Sequence, residues 1–288
     1  RRSEAVKNFS GWDMADRITI ERECEHKIIA KQGLIDTIVA AHLGNSPRIS
    51  EMAASNQAAA YLLPLGVVVS LFRAIAGKKP GVLTHVGLNT YADPRVSGCR
   101  VNQRARQAGR TVVELVELDG REQLFYPAFP LDFCLIRGTY ADEDGNISVE
   151  KEGIVCSELE IAAAVHNSGG TVVVQVEDVV QRGTLHPRRV RIHSSLVDYV
   201  VKAPSAELHM QNYAGTRYDP ALTGEIRRPA SNIPPMPMSI RKVIARRGAM
   251  ELKPNCVINL GIGIPSGVGP VANEEGLAAR TTLSLESG

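Results

Sequence analysis

The chain has 288 residues and a formal net charge of +2 at pH 7, with 33 Lys and Arg residues against 31 Asp and Glu residues. This near-neutral charge argues against a protein that binds nucleic acid through bulk positive charge. No apolar run reaches the roughly 18 residues that a transmembrane helix needs, and no apolar signal region is visible. We therefore expect a cytoplasmic protein that binds neither nucleic acid nor membranes.

The five cysteines, Cys24, Cys99, Cys134, Cys156 and Cys256, are scattered along the chain and form no CxxC pair. No histidine lies near a cysteine at the spacing of zinc ligands. An odd number of dispersed cysteines is typical of reduced thiols in the cytoplasm. The sequence thus predicts buried, reduced thiols and no metal site.

Helical and strand-like patterns alternate from residue 34 onwards. An apolar segment covers residues 34–44, an alanine-rich stretch at 49–60 predicts a helix, and 67–76 has helical periodicity with Gly77 as its C-cap. A short strand follows at 81–87. This alternation favours an α/β protein.

Strand-like runs dominate the middle of the chain. The turn Asp119–Arg121 between two of these runs predicts a hairpin. Ser157 and Glu160 have the spacing of a capping box at the start of a helix that a glycine pair ends. The continuous apolar run at 171–180 is typical of a parallel strand buried on both faces.

A proline-rich segment at residues 215–238 predicts a linker. It separates a first α/β domain (1–214), whose start is incomplete, from the beginning of a second (239–288). The second domain starts with an amphipathic helix capped by Ser239, then a strand, a glycine-rich turn, a helix and another strand. Both domains are expected to be open, mostly parallel α/β structures, and we expect the second to be part of something longer.

The glycine-rich turn at Gly261, Ile262 and Gly263 follows a buried strand and exposes backbone N–H groups, which favour anions and developing oxyanions. A dinucleotide-binding fingerprint is not matched, because Ser266 stands where G-x-G-x-x-G requires glycine. The plain alternative is a tight strand-to-helix turn that needs glycine for its backbone angles.

Glu286 follows the next strand, at the end where open α/β sheets bind ligands. A surface glutamate is the plain interpretation when the residue is taken alone. The turn and Glu286 end two strands separated by one helix, so we expect them at one edge of a sheet. A carboxylate opposite backbone donors suits covalent acyl transfer.

These residues resemble the family I coenzyme A transferases, and are most similar to the single-chain enzymes that act on acetate, propionate and acetoacetate. The resemblance covers roughly residues 28–288. It is carried by NLGIGIP at 259–265 and ESG at 286–288, with further motifs that agree in order and spacing. These motifs are THVGLNTYADPR (84–95), LIRGTYADEDGNIS (135–148), NSGGTVVVQVE (167–177) and RKVIARRGAMELKP (241–254).

The resemblance implies that Glu286 is the nucleophile. Leu65 stands where the family has a glutamine at the pocket wall, and Thr84, Tyr91 and Asp93 are candidates for an acyl pocket, with a plain turn as the alternative. The implied substrates are a short-chain acyl-CoA and a small carboxylic acid. Coenzyme A would be both substrate and part of a covalent glutamyl-CoA intermediate, and no metal is required.

Two other functions remain open from the residues alone. One is a non-catalytic fragment on the same fold that binds acyl-CoA or small acids. The other is a nucleotide-dependent oxidoreductase, which the failed fingerprint disfavours. Because exposed strand edges invite association, we also expect a homo-oligomer.

Overall fold

The computed structural model describes residues 34–44, 46–212 and 215–285. The chain divides into two compact units between Thr223 and Gly224. This division lies within the proline-rich segment 215–238. In the described part of the chain, no helix has the length and apolar character needed to cross a membrane.

The first unit opens with two parallel strands and two helices: β1 (Thr37–Ala40), α1 (Pro47–Ala54), β2 (Ala59–Leu62) and α2 (Leu65–Ala76). The predicted helix at 49–60 is therefore too long. Asn56 has φ +57°, which ends helical geometry, and the alanines after it are buried in a strand paired with β1. Tertiary pairing overrides the helix propensity of alanine here. The helix ending at Gly77 is confirmed.

A three-stranded antiparallel sheet follows, in the order β3-β5-β4. Its strands are β3 (Gly81–Thr84), β4 (Glu114–Leu118) and β5 (Arg121–Pro127), with α3 (Gln103–Ala108) between β3 and β4. Asp119 and Gly120 both have positive φ, at 51° and 68°. These angles fit the tight turn that joins twisted antiparallel strands, so the predicted hairpin is confirmed.

The rest of the first unit contains a parallel sheet, β12-β9-β6, and a mixed sheet, β10-β7-β8-β11. The elements are β6 (Phe133–Arg137), β7 (Tyr140–Asp142), β8 (Ile147–Ser148), α4 (Glu158–Asn167), β9 (Thr171–Val176), β10 (Asp178–Val180), β11 (Val190–Ile192) and β12 (Tyr199–Lys202). β9 pairs in parallel with both β6 and β12, which confirms the predicted interior parallel strand. Only one of its faces is fully buried, at Val172, Val174 and Val176, so the predicted burial of both faces is wrong.

Two predicted continuous runs each contribute strands to both of these sheets. The two runs pair with each other in parallel: Phe133 pairs with Thr171 and Asp142 with Val180, which is the same register at both ends. At the bend, the Gly138 N–H donates to the Gln175 carbonyl at 2.9 Å. The paired runs therefore pass from the parallel sheet into the mixed sheet without a change of register.

The predicted capping box of α4 is wrong, although the helix begins where expected. The Ser157 side chain makes no capping hydrogen bond. The Glu160 carboxylate instead accepts from Arg73 of α2 at 3.2 Å, because the two helices pack together. A tertiary ion pair has replaced the local contact.

The second unit consists of α5 (Ile240–Ala249), β13 (Val257–Leu260), α6 (Val268–Glu274) and β14 (Thr282–Leu285), with β13 and β14 parallel. Its core combines Ala245 and Ala249 of α5 with Leu260 and with residues of α6. The Ser239 hydroxyl accepts from the Lys242 N–H at 3.3 Å and caps α5 as predicted. Met236 of the proline-rich segment packs against this core.

Candidate active site

The glycine turn begins where β13 ends, beside the end of β14. Leu260 and Leu285 are register partners in the parallel pair, so Gly261 and Glu286 each follow one member of that pair. The expected pairing of these two strands is confirmed. Glu286, Ser287 and Gly288 lie outside the described residues.

The turn has a backbone conformation that suits the binding of an anion. Gly263 has φ +97°, and Ile264 has right-handed values of −63° and −44°. Where a left-handed residue precedes a right-handed one, neighbouring N–H groups can face one side and favour an anion; Pro265 has no N–H, so only Gly263 and Ile264 contribute here. Within the described residues, nothing accepts a hydrogen bond from the N–H groups of Ile262, Gly263 or Ile264. These donors are free for a ligand oxygen.

The Gly263 carbonyl, in contrast, is held by two side chains. Arg241 Nη2 donates to it at 2.9 Å and Ser266 Oγ at 2.7 Å. Sequence reasoning missed both residues. Arg241 reads as one of several basic residues on the polar side of α5, and only the fold shows that it reaches the turn.

A cavity of about 320 Å³ lies beside Arg241 and Ser266, the two side chains that hold the Gly263 carbonyl. Arg241 and Ser266 contribute to its wall, and the proline-rich stretch 233–237 forms much of the remainder. Its lining combines apolar side chains with one cationic group, which suits a ligand that has an apolar body and an anionic part.

The other predicted site residues lie in the first unit. Leu65 is the first residue of α2 and its side chain is 69% exposed. Thr84 ends β3, and its hydroxyl accepts from the Val86 N–H at 3.2 Å. Tyr91 is 45% exposed in the loop after β3, whereas Asp93 in the same loop is fully buried.

The Asp93 carboxylate is fully occupied by donors from its own loop. It accepts from the Asn89 N–H and the Arg95 N–H, both at 2.9 Å, and from the Arg95 guanidinium at 3.0 and 2.7 Å. The hydrogen bonds from Arg95 and from the Asn89 backbone hold the pKa of Asp93 well below its ordinary value. Asp93 thus organises the loop that presents Tyr91.

Four cysteines fall within the described residues, and all four are free thiols, as predicted. The predicted burial holds for Cys99 and Cys134 but is wrong for Cys156, which is exposed, and for Cys256, which is half-buried. Burial raises the pKa of Cys99 to about 12 and that of Cys134 to about 11. Both are therefore protonated, unreactive core residues at neutral pH. Across residues 34–44, 46–212 and 215–285, no cluster of three or more His, Cys, Asp or Glu side chains could hold a metal ion.

The family model and the curated proteins that match this chain agree in kind: they are coenzyme A transferases. A family model described as coenzyme A transferase matches residues 3–203. The caffeate CoA-transferase of Acetobacterium woodii is 44% identical over 257 residues, which are 89% of this chain and 48% of that protein. The acetate CoA-transferase YdiF of Escherichia coli (strain K12) is 38% identical over 260 residues, 90% of this chain and 48% of that protein. The chain thus spans about half the length of these curated relatives.

A solved structure agrees with the sequence relatives. The acyl-CoA transferase YdiF from Escherichia coli O157:H7, crystallised as a thioester complex with CoA, matches this chain with a TM-score of 0.79 at 38% identity. The match covers 90% of this chain and 48% of that one. The α/β fold expected from the motif resemblance is confirmed, while the roles of individual residues stay predictions.

Proposed function

Because the chain belongs to the coenzyme A transferase family, we propose that the protein transfers coenzyme A from a short-chain acyl-CoA to a free carboxylic acid. The observation that carries the proposal is the parallel register of Leu260 and Leu285. It brings a turn with three free backbone donors next to the strand that leads into Glu286. The thioester complex of YdiF with CoA supports a covalent route.

The proposed reaction conserves the energy of the thioester by keeping it covalent. The Glu286 carboxylate attacks the acyl-CoA carbonyl, which gives a mixed anhydride and releases the CoA thiolate. The thiolate then attacks the glutamyl carbonyl, so a glutamyl-CoA thioester forms and the first acid leaves as its carboxylate. A second carboxylate enters and the same steps run in reverse. The predicted kinetics are ping-pong.

Each step passes through a tetrahedral intermediate that carries an oxyanion. Backbone N–H groups fixed in advance stabilise such charge without the cost of reorganising solvent. We assign this role to the amides of the turn 261–263, of which those of Ile262 and Gly263 have no acceptor among the described residues. Contacts to the distant parts of CoA supply binding energy that positions the reacting carbonyl.

The intermediate can be trapped directly on the protein as its gene encodes it. Incubation with acetyl-CoA followed by borohydride should reduce the glutamyl thioester, and peptide mass spectrometry should find the change at Glu286. The variant Glu286→Gln should show no modification. Glu251, an exposed partner of Arg247 on α5, provides a matched control because Glu251→Gln should leave the modification intact.

Two results would contradict the proposal. One is binding of acetyl-CoA without a modified glutamate, which would favour a non-catalytic acyl-CoA-binding fragment. The other is modification at a residue other than Glu286. We further propose that the protein acts in the cytoplasm as a homo-oligomer, with acyl-CoA and small carboxylic acids as its partners; size-exclusion chromatography with light scattering tests the oligomer.

A further inference from the structure

The four basic side chains of α5 have different kinds of partner. Lys242 pairs with Glu274 at 2.7 Å, Arg246 with Glu275 at 2.8 Å, and Arg247 with Glu251 at 2.5 Å. In the part of the chain that the structure describes, no carboxylate lies within 4.0 Å of the Arg241 guanidinium. Arg241 bonds instead to the Gly263 carbonyl. The positive charge of Arg241 therefore lies at the Gly263 carbonyl of the turn.

A bond to the Gly263 carbonyl also fixes the next N–H group. The peptide unit is planar and trans, so the Gly263 C=O and the Ile264 N–H point in opposite directions. Arg241 and Ser266 together fix the oxygen with two donors. The plane of the peptide, and with it the direction of the Ile264 N–H, is then determined.

The positive charge of Arg241 also acts through the bonds of the peptide. A carbonyl that accepts a charge-assisted hydrogen bond is polarised, and its amide N–H becomes a stronger donor in turn. The Ile264 N–H itself has no acceptor among the described residues. A strengthened, free donor at this position is suited to developing negative charge.

We infer that Arg241 is a positioning residue for acyl transfer: with Ser266 it holds the Gly263–Ile264 peptide so that the Ile264 N–H donates to the oxyanion. This inference rests on the proposed function and adds Ile264 to the donors of the turn. Because Arg241 is exposed, its replacement should leave the unit folded.

The kinetic test uses the protein as its gene encodes it, with the variants Arg241→Met, Ser266→Ala and the double variant. Arg247→Met is the control, since Arg247 lies on the same helix but pairs with Glu251. Arg241→Met should lower kcat about 10- to 100-fold, because the donor remains but loses its alignment. KM for the acyl-CoA should change less than about twofold. The double variant should lose less than the product of the two single losses, because both side chains act on one oxygen.

An NMR measurement tests whether Arg241 fixes the Gly263–Ile264 peptide, and it does not depend on turnover. Labelling glycine with ¹³C at the carbonyl and isoleucine with ¹⁵N selects Gly-Ile peptides, of which these 288 residues contain three: Gly153–Ile154, Gly261–Ile262 and Gly263–Ile264. Arg241→Met should shift the Gly263–Ile264 signal. The Gly153–Ile154 signal, from the first unit, should stay in place, and Arg247→Met should move neither.

The outcomes separate this inference from the proposed function. Loss of kcat in Arg241→Met together with the NMR shift supports the positioning role. If the wild type transfers CoA and Arg241→Met matches Arg247→Met in kcat, the inference is overturned. If the wild type neither transfers CoA nor forms the glutamyl thioester, the proposed function fails. In that case an unchanged Gly263–Ile264 signal in Arg241→Met would overturn the claim that Arg241 fixes this peptide, and a shifted signal would support it.

Discussion

Asp93 and Arg95, which are separated by one residue, form a bidentate ion pair. The Arg95 guanidinium donates to both carboxylate oxygens, at 3.0 and 2.7 Å. Asp93 is fully buried and Arg95 also reaches Glu122 at 2.8 Å. Asp93→Asn removes the charge and one acceptor from this network. We expect it to lower the free energy of unfolding by about 2–3 kcal/mol, measured by urea titration.

The matched control for this prediction is Asp144→Asn. Asp144 pairs with Arg182 at 2.8 Å on the surface, where ion pairs contribute less than about 1 kcal/mol. If the two variants lost the same stability, the buried network around Asp93 would not be the reason for its effect.

The stabilisation from Asp93 should depend on pH in a defined direction. Its hydrogen bonds, those from Arg95 foremost, lower its pKa in the folded state, so folding favours the ionised form. The contribution is complete above the unfolded pKa of about 3.9 and is lost as the pH falls towards the lower folded value. The stability difference between wild type and Asp93→Asn should therefore be constant from pH 7 to 5 and shrink below about pH 4. A difference that grew on acidification would contradict this assignment.

Gly263 should be required for its backbone angle rather than for space. It has φ +97°, and a Cβ built there meets no atom within 4 Å. Gly276, after α6, has φ +69° and is equally open. Gly263→Ala and Gly276→Ala should each cost about 1–2 kcal/mol of stability, measured by urea titration.

Only Gly263→Ala should also slow CoA transfer, because only that glycine lies in the turn with free donors. Equal transfer rates in the two variants would mean that the turn has a purely structural role.

The strands of the second unit should exchange their amide protons faster than the central strand of the first. β9 is bonded on both sides, to β6 and β12, whereas β13 and β14 form a two-stranded sheet in the described residues. Two-stranded sheets are marginally stable by themselves. Hydrogen exchange followed by mass spectrometry on the 288-residue chain should find protection in 171–176 to outlast protection in 257–260. The reverse order would mean that the second unit is the more stable one.

The order of elements around the candidate site could be predicted because each is short and strongly patterned. Ser239 caps α5 through its own side chain, and Leu260 precedes a glycine that stops the strand. Such signals are local, and the parallel pairing of β13 with β14 follows from the helix between them. The same reasoning found the hairpin at Asp119 and Gly120.

Features fixed by distant contacts could not be predicted. The bend at Gly138 divides one apolar run between two sheets, and it needs glycine because the Ile147 side chain occupies the space that a Cβ would take. Glu160 has the spacing of a cap but pairs with Arg73 of another helix. Arg241 has no local signature, since its acceptor lies 22 residues further along the chain.

Glu286→Asp should retain the carboxylate yet lose most of the transfer activity. The substitution shortens the side chain by one methylene, and a displacement of about 1 Å from the attack position can cost about 100-fold in rate. Acyl-CoA binding should change far less, since the non-reacting parts of a substrate as large as acyl-CoA generally supply most of its binding energy.

Steady-state kinetics and equilibrium binding on the protein as its gene encodes it measure the two quantities separately. Glu275→Asp is the control, because Glu275 pairs with Arg246 on the surface of the second unit. It should retain near-normal turnover. If Glu286→Asp also kept near-normal kcat, another group would have to be the nucleophile, and the pairing of Leu260 with Leu285 would lose its catalytic meaning.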